Sequence, residues 1–374
     1  MKQLLAFVLL TVVCLIGSCQ AADNVGSAKM TVTVTNPLMI QRQSETICIE
    51  GYADKFVFDV QTEKLVRTQS YDGKLLFQTD LGPGETKKFR LTDESDGLEV
   101  PTSEVRTHCR FIPERKDDFG WESDKAAYRM YGPALEYETI TCGIDAWGKS
   151  VPEPIIDRYI KEYVEKHIPY HNGHDDGGDF YKVGNTLGCG AMAPFIDGKI
   201  RLPRNFVTSK VITNGPIRSE FELTYNQWKA GGFTVSEVKR ISIDLGSNLS
   251  RIECKYSCQG GDKIPVAAGI ILRNVSRNIW AQDGTIAYWI PADYKEKGNL
   301  GCGVVFAAEY DTKINQADDH LLLTLEAEND KPVVYYSGSC WDKNTQFDSF
   351  DKWQTYLKNF KKQIDNPVTV SIEK

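Results

Sequence analysis

The sequence predicts an all-β fold, a large antiparallel β-sandwich with a few short helices, on three observations. Apolar and polar residues alternate with period two along most of the chain. Turn signals such as Tyr71-Asp72-Gly73, Gly82-Pro83-Gly84, Asp197-Gly198 and Asp283-Gly284 interrupt that alternation at short intervals. The composition, 41% hydrophobic and 25% charged with no low-complexity tract, is that of an ordinary globular chain.

Read from the N-terminus, the 374 residues begin with a segment outside the fold. Lys2, the apolar run Leu4 to Ile16 and the small residues that follow have the pattern of a secretory signal over residues 1–22. That run is too short to span a membrane. Leu15-Ile16-Gly17-Ser18-Cys19 also fits a lipobox, in which Cys19 is acylated and becomes the mature N-terminus; ordinary cleavage after Ala21 or Ala22 is the competing reading. The expectation is an exported chain, periplasmic or an outer-membrane lipoprotein, that meets the membrane only through the lipid on Cys19. Residues 23–374 show no linker, no shift in composition and no internal repeat, so a single sandwich domain is expected, a size such folds reach without splitting.

Strands are expected at Met30 to Thr35, Glu45 to Glu50, Phe56 to Val60, Ser219 to Tyr225, Val238 to Asp244 and Ser250 to Tyr256. Each places apolar residues on one face and polar residues on the other, the mark of antiparallel strands with one wet face. The whole chain offers about eighteen such candidates, enough for two stacked sheets. Two segments have helical periodicity instead. Pro154 to Lys166 aligns Ile155, Ile156, Tyr159, Ile160, Tyr163 and Val164 on one stripe, and Phe350 to Phe360 aligns Trp353, Tyr356, Leu357 and Phe360. His167 follows the first helix, where a cation meets the dipole favourably. A last strand is expected at Val368 to Ile372.

Of ten cysteines, Cys14 and Cys19 belong to the signal, and the rest (Cys48, Cys109, Cys142, Cys189, Cys254, Cys258, Cys302, Cys340) are thinly spread. An oxidising compartment permits pairing. In a strand, however, Cys254 and Cys258 stand about 13 Å apart, too far to bond to each other. Cys189 and Cys302, in Gly-Cys-Gly settings, read as small core residues, and free buried thiols are expected. The absence of Cys-x-x-Cys excludes zinc-knuckle and thioredoxin chemistry. The net charge of −7 argues against nucleic acid as a partner; a local arginine cluster can still hold an anionic sugar.

Two stretches carry groups that strands do not need for folding. Residues 113–133 bring together Arg115, Asp117, Asp118, Trp121, Glu122, Asp124, Arg129 and Tyr131. Alternation at its end puts Tyr128 and Met130 on one face and Arg129 and Tyr131 on the other, about 7 Å apart, a spacing suited to one sugar ring. Trp121 is read equally as a sugar-stacking platform or as core, and Trp147 as core. Residues 169–184 form a glycine-rich loop with His171, His174, Asp175, Asp176, Asp179, Tyr170 and Tyr181, and loops on a rigid sandwich are where function concentrates. Its histidines serve equally as plain hydrogen-bonded loop residues. Asp175, Asp176 and Asp179 also suit a solvated or Ca²⁺-binding turn, since oxygen-rich loops suit hard cations; no cofactor is otherwise required. Arg204 and Arg273 are further candidate cations.

The run from Pro113 to Asp124, the run from Ala127 to Leu135, Tyr170-His171, Asp179 to Gly184 and Gly188-Cys189-Gly190 resemble a family of exported Bacteroidetes proteins catalogued as a domain of unknown function, a family that includes the ulvan-oligosaccharide dehydratase. The resemblance extends over nearly the whole mature chain. It implies a supersandwich of the galactose-mutarotase-like kind. It also implies β-elimination at a non-reducing-end uronic acid, giving a 4,5-unsaturated uronate during polysaccharide degradation. Such chemistry needs a donor to meet the carboxylate charge, a base for H5 and an acid for the leaving oxygen. On this reading Arg129 and Arg115 meet the carboxylate, His171 is the base and Tyr131 or Tyr170 the acid, with Asp179 or Glu122 orienting the histidine. Trp121, Asp124, His174, Tyr181 and Arg204 complete a site for an anionic oligosaccharide. Two rival classes remain: a glycan-binding lipoprotein, and a glycoside hydrolase using paired carboxylates such as Glu122 and Asp124, about 7 Å apart on one strand.

Overall fold

The computed structural model describes residues 30–138, 142–171, 174–273, 278–293 and 295–373; the signal segment and Cys19 lie outside them. Strand accounts for 52% and helix for 11% of the chain, and among the described residues every strand pair is antiparallel. The all-β expectation holds.

An eight-stranded sheet runs Thr208–Asn214, Arg218–Ala230, Phe233–Asp244, Leu249–Gln259, Pro332–Trp341, Asn299–Val305, Thr285–Pro291 and Ile279–Gln282. A five-stranded sheet containing Cys189–Ile196, Lys263–Ile271 and His320–Glu328 lies against its inner face. Alternation dictates this packing: Phe221, Leu223 and Tyr225 point into the shared core while Glu222 and Thr224 stay partly wet. Many strands extend beyond their expected ends. Ser219 to Tyr225, for instance, lengthens to Arg218–Ala230, because outward residues after Tyr225 still pair with Phe233–Asp244.

Residues 30–92 build a smaller sandwich with its own core of Val32, Val34, Ile47, Phe77, Phe89 and Leu91, closed by the C-terminal strand Thr369–Glu373 pairing with Met30–Thr35. It docks on the large sheet through Gln69, whose amide donates to Thr213 Oγ1 and Arg218 O (both 2.8 Å) and accepts from the backbone of Ile217 (2.8 Å).

Helix α1 spans Ile156–Lys166 and ends at His167 in the left-handed conformation (φ 55°), which closes the last turn. Helix α2 spans Phe350–Asp365, one turn longer than expected, and buries Trp353 and Leu357 on the large sheet. Gly301 and Gly303 permit that approach, since a Cβ at either would stand 2.9 Å from Trp353 or 2.7 Å from Leu357. Among the described residues no helix is long and apolar enough to cross a membrane. Cys109, Cys142, Cys189, Cys254, Cys302 and Cys340 are buried, Cys258 is half-buried and Cys48 is exposed.

Candidate functional site

A third sheet, Gly177–Gly178, Asp145–Lys149, Ala127–Met130, Asp118–Glu122 and His108–Ile112, brings the two charged stretches together. Its register sets Arg129 opposite Asp145 on one side and Gly120 on the other. Arg129 is 2% exposed. Its Nη2 stands 2.9 Å from Asp145 Oδ2 and 2.8 Å from Asp179 Oδ2, and its Nε is 3.6 Å from Asp118 Oδ2. The guanidinium also lies 5.0 Å from the Tyr131 ring, 5.2 Å from Tyr170 and 5.5 Å from Trp147.

Burial works against the Arg129 charge, but Asp145 and Asp179 more than overcome it and hold the guanidinium well above its ordinary range. The carboxyls divide. Burial, then repulsion from Asp179, pushes Asp145 to about 8 in spite of Arg129. Burial likewise lifts Asp118 to about 6 against Arg129 and Arg115. For Asp179, burial is outweighed by Arg129 and His171, so it stays below the usual carboxylate range. Three carboxylates, Asp118, Asp145 and Asp179, thus share the two guanidinium groups of Arg115 and Arg129. Asp145 Oδ2 additionally accepts from Trp147 Nε1 (3.0 Å), and Asp118 Oδ1 accepts from the Gly132 backbone (2.9 Å).

His171 sits at the open edge of this cluster, its side chain 47% exposed, with Nδ1 3.2 Å from Asp179 Oδ2. That contact raises the imidazole above its ordinary pKa against the effect of burial. Nδ1 is thus the ring nitrogen that faces Asp179. The His171 ring lies 4.5 Å from that of Tyr170, which stacks on Trp147 at 5.4 Å. Arg115 Nε donates to the Tyr170 hydroxyl (2.6 Å), and Tyr170 itself is buried, 2% exposed. Tyr131 is buried, and burial, reinforced by Asp145, holds its phenol well above the ordinary value.

Several expected site residues are occupied elsewhere. Arg129 is no free cation for a substrate: its charge is already met by carboxylates. Arg115, with a side chain 15% exposed and Nη1 3.7 Å from Asp118, is the more open guanidinium. Trp121 is not a surface platform; it is 0% exposed, its Nε1 donating to Ser250 Oγ, because both its neighbouring strands bury that face. Glu122 is equally buried. Its Oε2 accepts from Lys149 Nζ (2.7 Å) and the Ile155 backbone (2.9 Å), and its Oε1 from the Ile156 backbone (3.0 Å). It anchors the N-terminus of α1, which has no side-chain cap of its own. Asp124 accepts from the Gly246 backbone. Neither carboxylate of the expected hydrolase pair is free. Tyr181 is buried. His174 pairs with Glu162 (3.0 Å), and Arg204 with Glu136 (3.1 Å). The aspartates of the loop do not converge on a cation: Asp176 holds Arg158 and Tyr159, while Asp179 holds Arg129 and His171. Among the described residues no cluster of three or more His, Cys, Asp or Glu could hold a metal. Arg273 is tied to the carbonyls of Lys182 and Val183.

The sequence reading missed the roles of Asp118, Asp145 and Lys149. Their signal was available, since an ionisable residue inside an apolar strand such as Ile144-Asp145-Ala146-Trp147 needs a buried partner. Asp293 was missed as well; its backbone donates to Phe180 O (3.0 Å), one residue beyond Asp179. Burial raises its carboxyl, opposed by Lys182 and Arg273.

Residues 34–370 match the family described as Domain of unknown function (DUF4861). The chain belongs to that family. A relative in Formosa agariphila, described as "Uncharacterized protein P7", is 34% identical over 408 residues, with 100% of both chains aligned. Among solved structures, a protein in the Glycosyl Hydrolase Family 38 from Enterococcus faecalis superposes with a TM-score of 0.51 at 11% identity, covering 92% of this chain and 47% of that one. An alpha-mannosidase from Enterococcus faecalis V583 gives a TM-score of 0.46 at 9% identity, covering 92% of this chain and 46% of its own. This DUF4861 chain thus spans about half the length of those structures. The first likeness is one of fold, a β-rich domain shared without sequence similarity.

Proposed function

We infer that this protein is a carbon–oxygen lyase acting on oligosaccharides that end in a uronic acid, in the manner of the ulvan-oligosaccharide dehydratase its motifs resemble. The observation that carries the reading is the Asp179–His171 dyad, a half-exposed imidazole oriented by a buried carboxylate beside the Arg115–Tyr170 pair. Arg115 meets the substrate carboxylate, so that charge developing on C5 spreads onto oxygens facing a cation. His171 Nε2 takes H5, the released electron pair forms the C4–C5 double bond, and the C4–O bond breaks. The Tyr170 phenol protonates the departing oxygen, releasing water from a terminal uronate or a sugar alcohol from a linked one. Arg129 acts through others: it fixes Asp179, which fixes the imidazole. No step calls for a metal. The setting we propose is outside the cytoplasm, with Cys19 as lipid anchor.

The test is to incubate the purified protein with oligosaccharides ending in glucuronic or iduronic acid and follow ultraviolet absorbance of the unsaturated uronate together with product mass. Absorbance rising with loss of one water is dehydration; rising with chain cleavage, it is an exo-lyase. New reducing ends without absorbance mean hydrolysis and overturn the reading. His171→Ala, in a chain that keeps its circular dichroism, is expected to lower turnover by about 10²- to 10⁴-fold; near-normal turnover removes His171 as the base.

A further inference from the structure

The apolar stripe of α1 outruns the sheet beneath it. Ile156, Tyr159 and Ile160 are buried, whereas Tyr163 is 39%, Val164 43% and Ile168 38% exposed. Single exposed apolar residues are ordinary on a protein surface, and apolar residues commonly flank a left-handed helix end such as the one at His167, which covers Val164 and Ile168. Tyr163 is set apart by its place. Its ring centre lies 5.1 Å from that of Tyr170, inclined at 59°, and the Tyr170 ring lies 4.5 Å from that of His171 at 53°. On its other side Tyr170 stacks on the buried Trp147. A continuous aromatic row thus climbs from Trp147 through Tyr170 and ends at the surface in two part-exposed rings, Tyr163 on α1 and His171 on the loop after it. Because both rings touch the same phenol, they are separated by less than the sum of those two distances, within reach of two linked pyranose rings. Arg115 holds the hydroxyl end of that phenol, so the cation of the site stands beside the same row.

We propose that Tyr163 is the platform for the sugar residue next to the reacting uronate, so that the substrate is at least a disaccharide lying from His171 toward the C-terminal end of α1. The proposal rests on the reading of the His171 edge as an oligosaccharide site and adds to it a second sugar position. The chemistry follows from the two surfaces that meet. One face of a pyranose is lined with C–H bonds, which suit the negative face of an aromatic ring, and the phenol carries a polar tip for the hydroxyls at the sugar's rim. Tyr163 brings no charge, so this position selects ring shape, while Arg115 reads the charge of the terminal residue. A ring fixed on a helix and braced against Tyr170 offers that face without first having to be ordered. A neutral sugar is therefore accepted behind the uronate, and a free uronic acid, which leaves Tyr163 bare, binds weakly.

The experiment is calorimetric titration of the full chain with two ligands that share a 4-deoxy uronate terminus of either C5 configuration: a methyl glycoside of that residue alone, and a tetrasaccharide in which a neutral pyranose follows it. Lacking a leaving group at C4, neither can eliminate, so binding is read apart from turnover. Wild type is expected to bind the tetrasaccharide at least about tenfold more tightly than the single residue, the worth of one stacked ring. Tyr163→Ala should erase that difference without weakening the single residue, and Tyr163→Phe, which keeps the ring, should retain it and guard against a folding defect. Tetrasaccharide affinity unchanged in Tyr163→Ala overturns the proposal, as does a wild type that gains nothing from the longer ligand or binds neither. A change of oligomeric state in Tyr163→Ala with sugar affinity intact also overturns it, assigning the exposed ring to a contact between copies. Elimination from a cleavable substrate at unchanged KM in Tyr163→Ala leaves the lyase reading standing and removes this platform; Tyr163-dependent binding without elimination does the reverse.

Discussion

Replacing Lys149 by Met tests how the site's scaffold is held. The Lys149 ammonium is wholly buried and donates to Glu122 Oε2 at 2.7 Å and to Ser123 O at 2.6 Å. Methionine keeps the apolar stem and removes the charge. Glu122 is then a buried carboxylate with only the Ile155 and Ile156 amides and the positive end of α1 to meet it. Breaking one side of a buried pair typically costs about 3–5 kcal/mol. The helix terminus offsets about 1 kcal/mol of that, so a loss of about 3 kcal/mol is expected. Removing the second charge with Glu122→Gln should then cost less in the Lys149→Met background than alone, a coupling above about 1 kcal/mol in the double-mutant cycle. Equilibrium urea unfolding followed by circular dichroism reads this as a lower midpoint at unchanged slope. A loss below about 1 kcal/mol, or additivity within about 0.5 kcal/mol, would refute the idea that this pair anchors α1.

Other outcomes follow from the charge cluster. Asp179→Asn removes the group that raises His171, so the acid limb of kcat/KM, which reports the imidazole losing its proton, should move to lower pH while the rate falls about 10- to 100-fold; a limb that stays in place separates Asp179 from the base. Asp145 binds its proton more tightly folded than unfolded, with a pKa of about 8 against 3.8, so the native state holds the extra proton in between. Stability should therefore fall as pH rises from about 4 to 8, by at most about 1.4 kcal/mol per pH unit from this group, and Asp145→Asn should flatten that slope in urea titrations at several pH values. Arg115→Ala should lower kcat/KM about 10- to 100-fold, the worth of one charged hydrogen bond of about 1.5–3 kcal/mol; an unchanged value would show that the substrate carboxylate is met elsewhere.

Local pattern sufficed for much of this protein. The alternation in Met30–Thr35 or Arg218–Ala230, and the apolar stripe that became α1, encode which face turns inward, and that choice needs only neighbours two or four residues away. The loading of residues 113–133 and 169–184 with ionisable groups marked the parts of the chain that the third sheet and its adjoining loop assemble. What sequence could not settle was which of those groups stay free. Arg129 looked like a substrate cation and is enclosed by Asp118, Asp145 and Asp179; Trp121 looked as much like a platform as like core and is core; Glu122 looked catalytic and caps a helix. Each outcome depends on partners well beyond the local sequence, from Asp118 and Asp145 around Arg129 to Ser250 beside Trp121, brought within 4 Å by strand register and packing. Sequence determines that a buried charge needs a partner, because desolvation is costly wherever it occurs; only the tertiary structure decides which partner it finds, and therefore that Asp179 holds both Arg129 and the half-exposed His171.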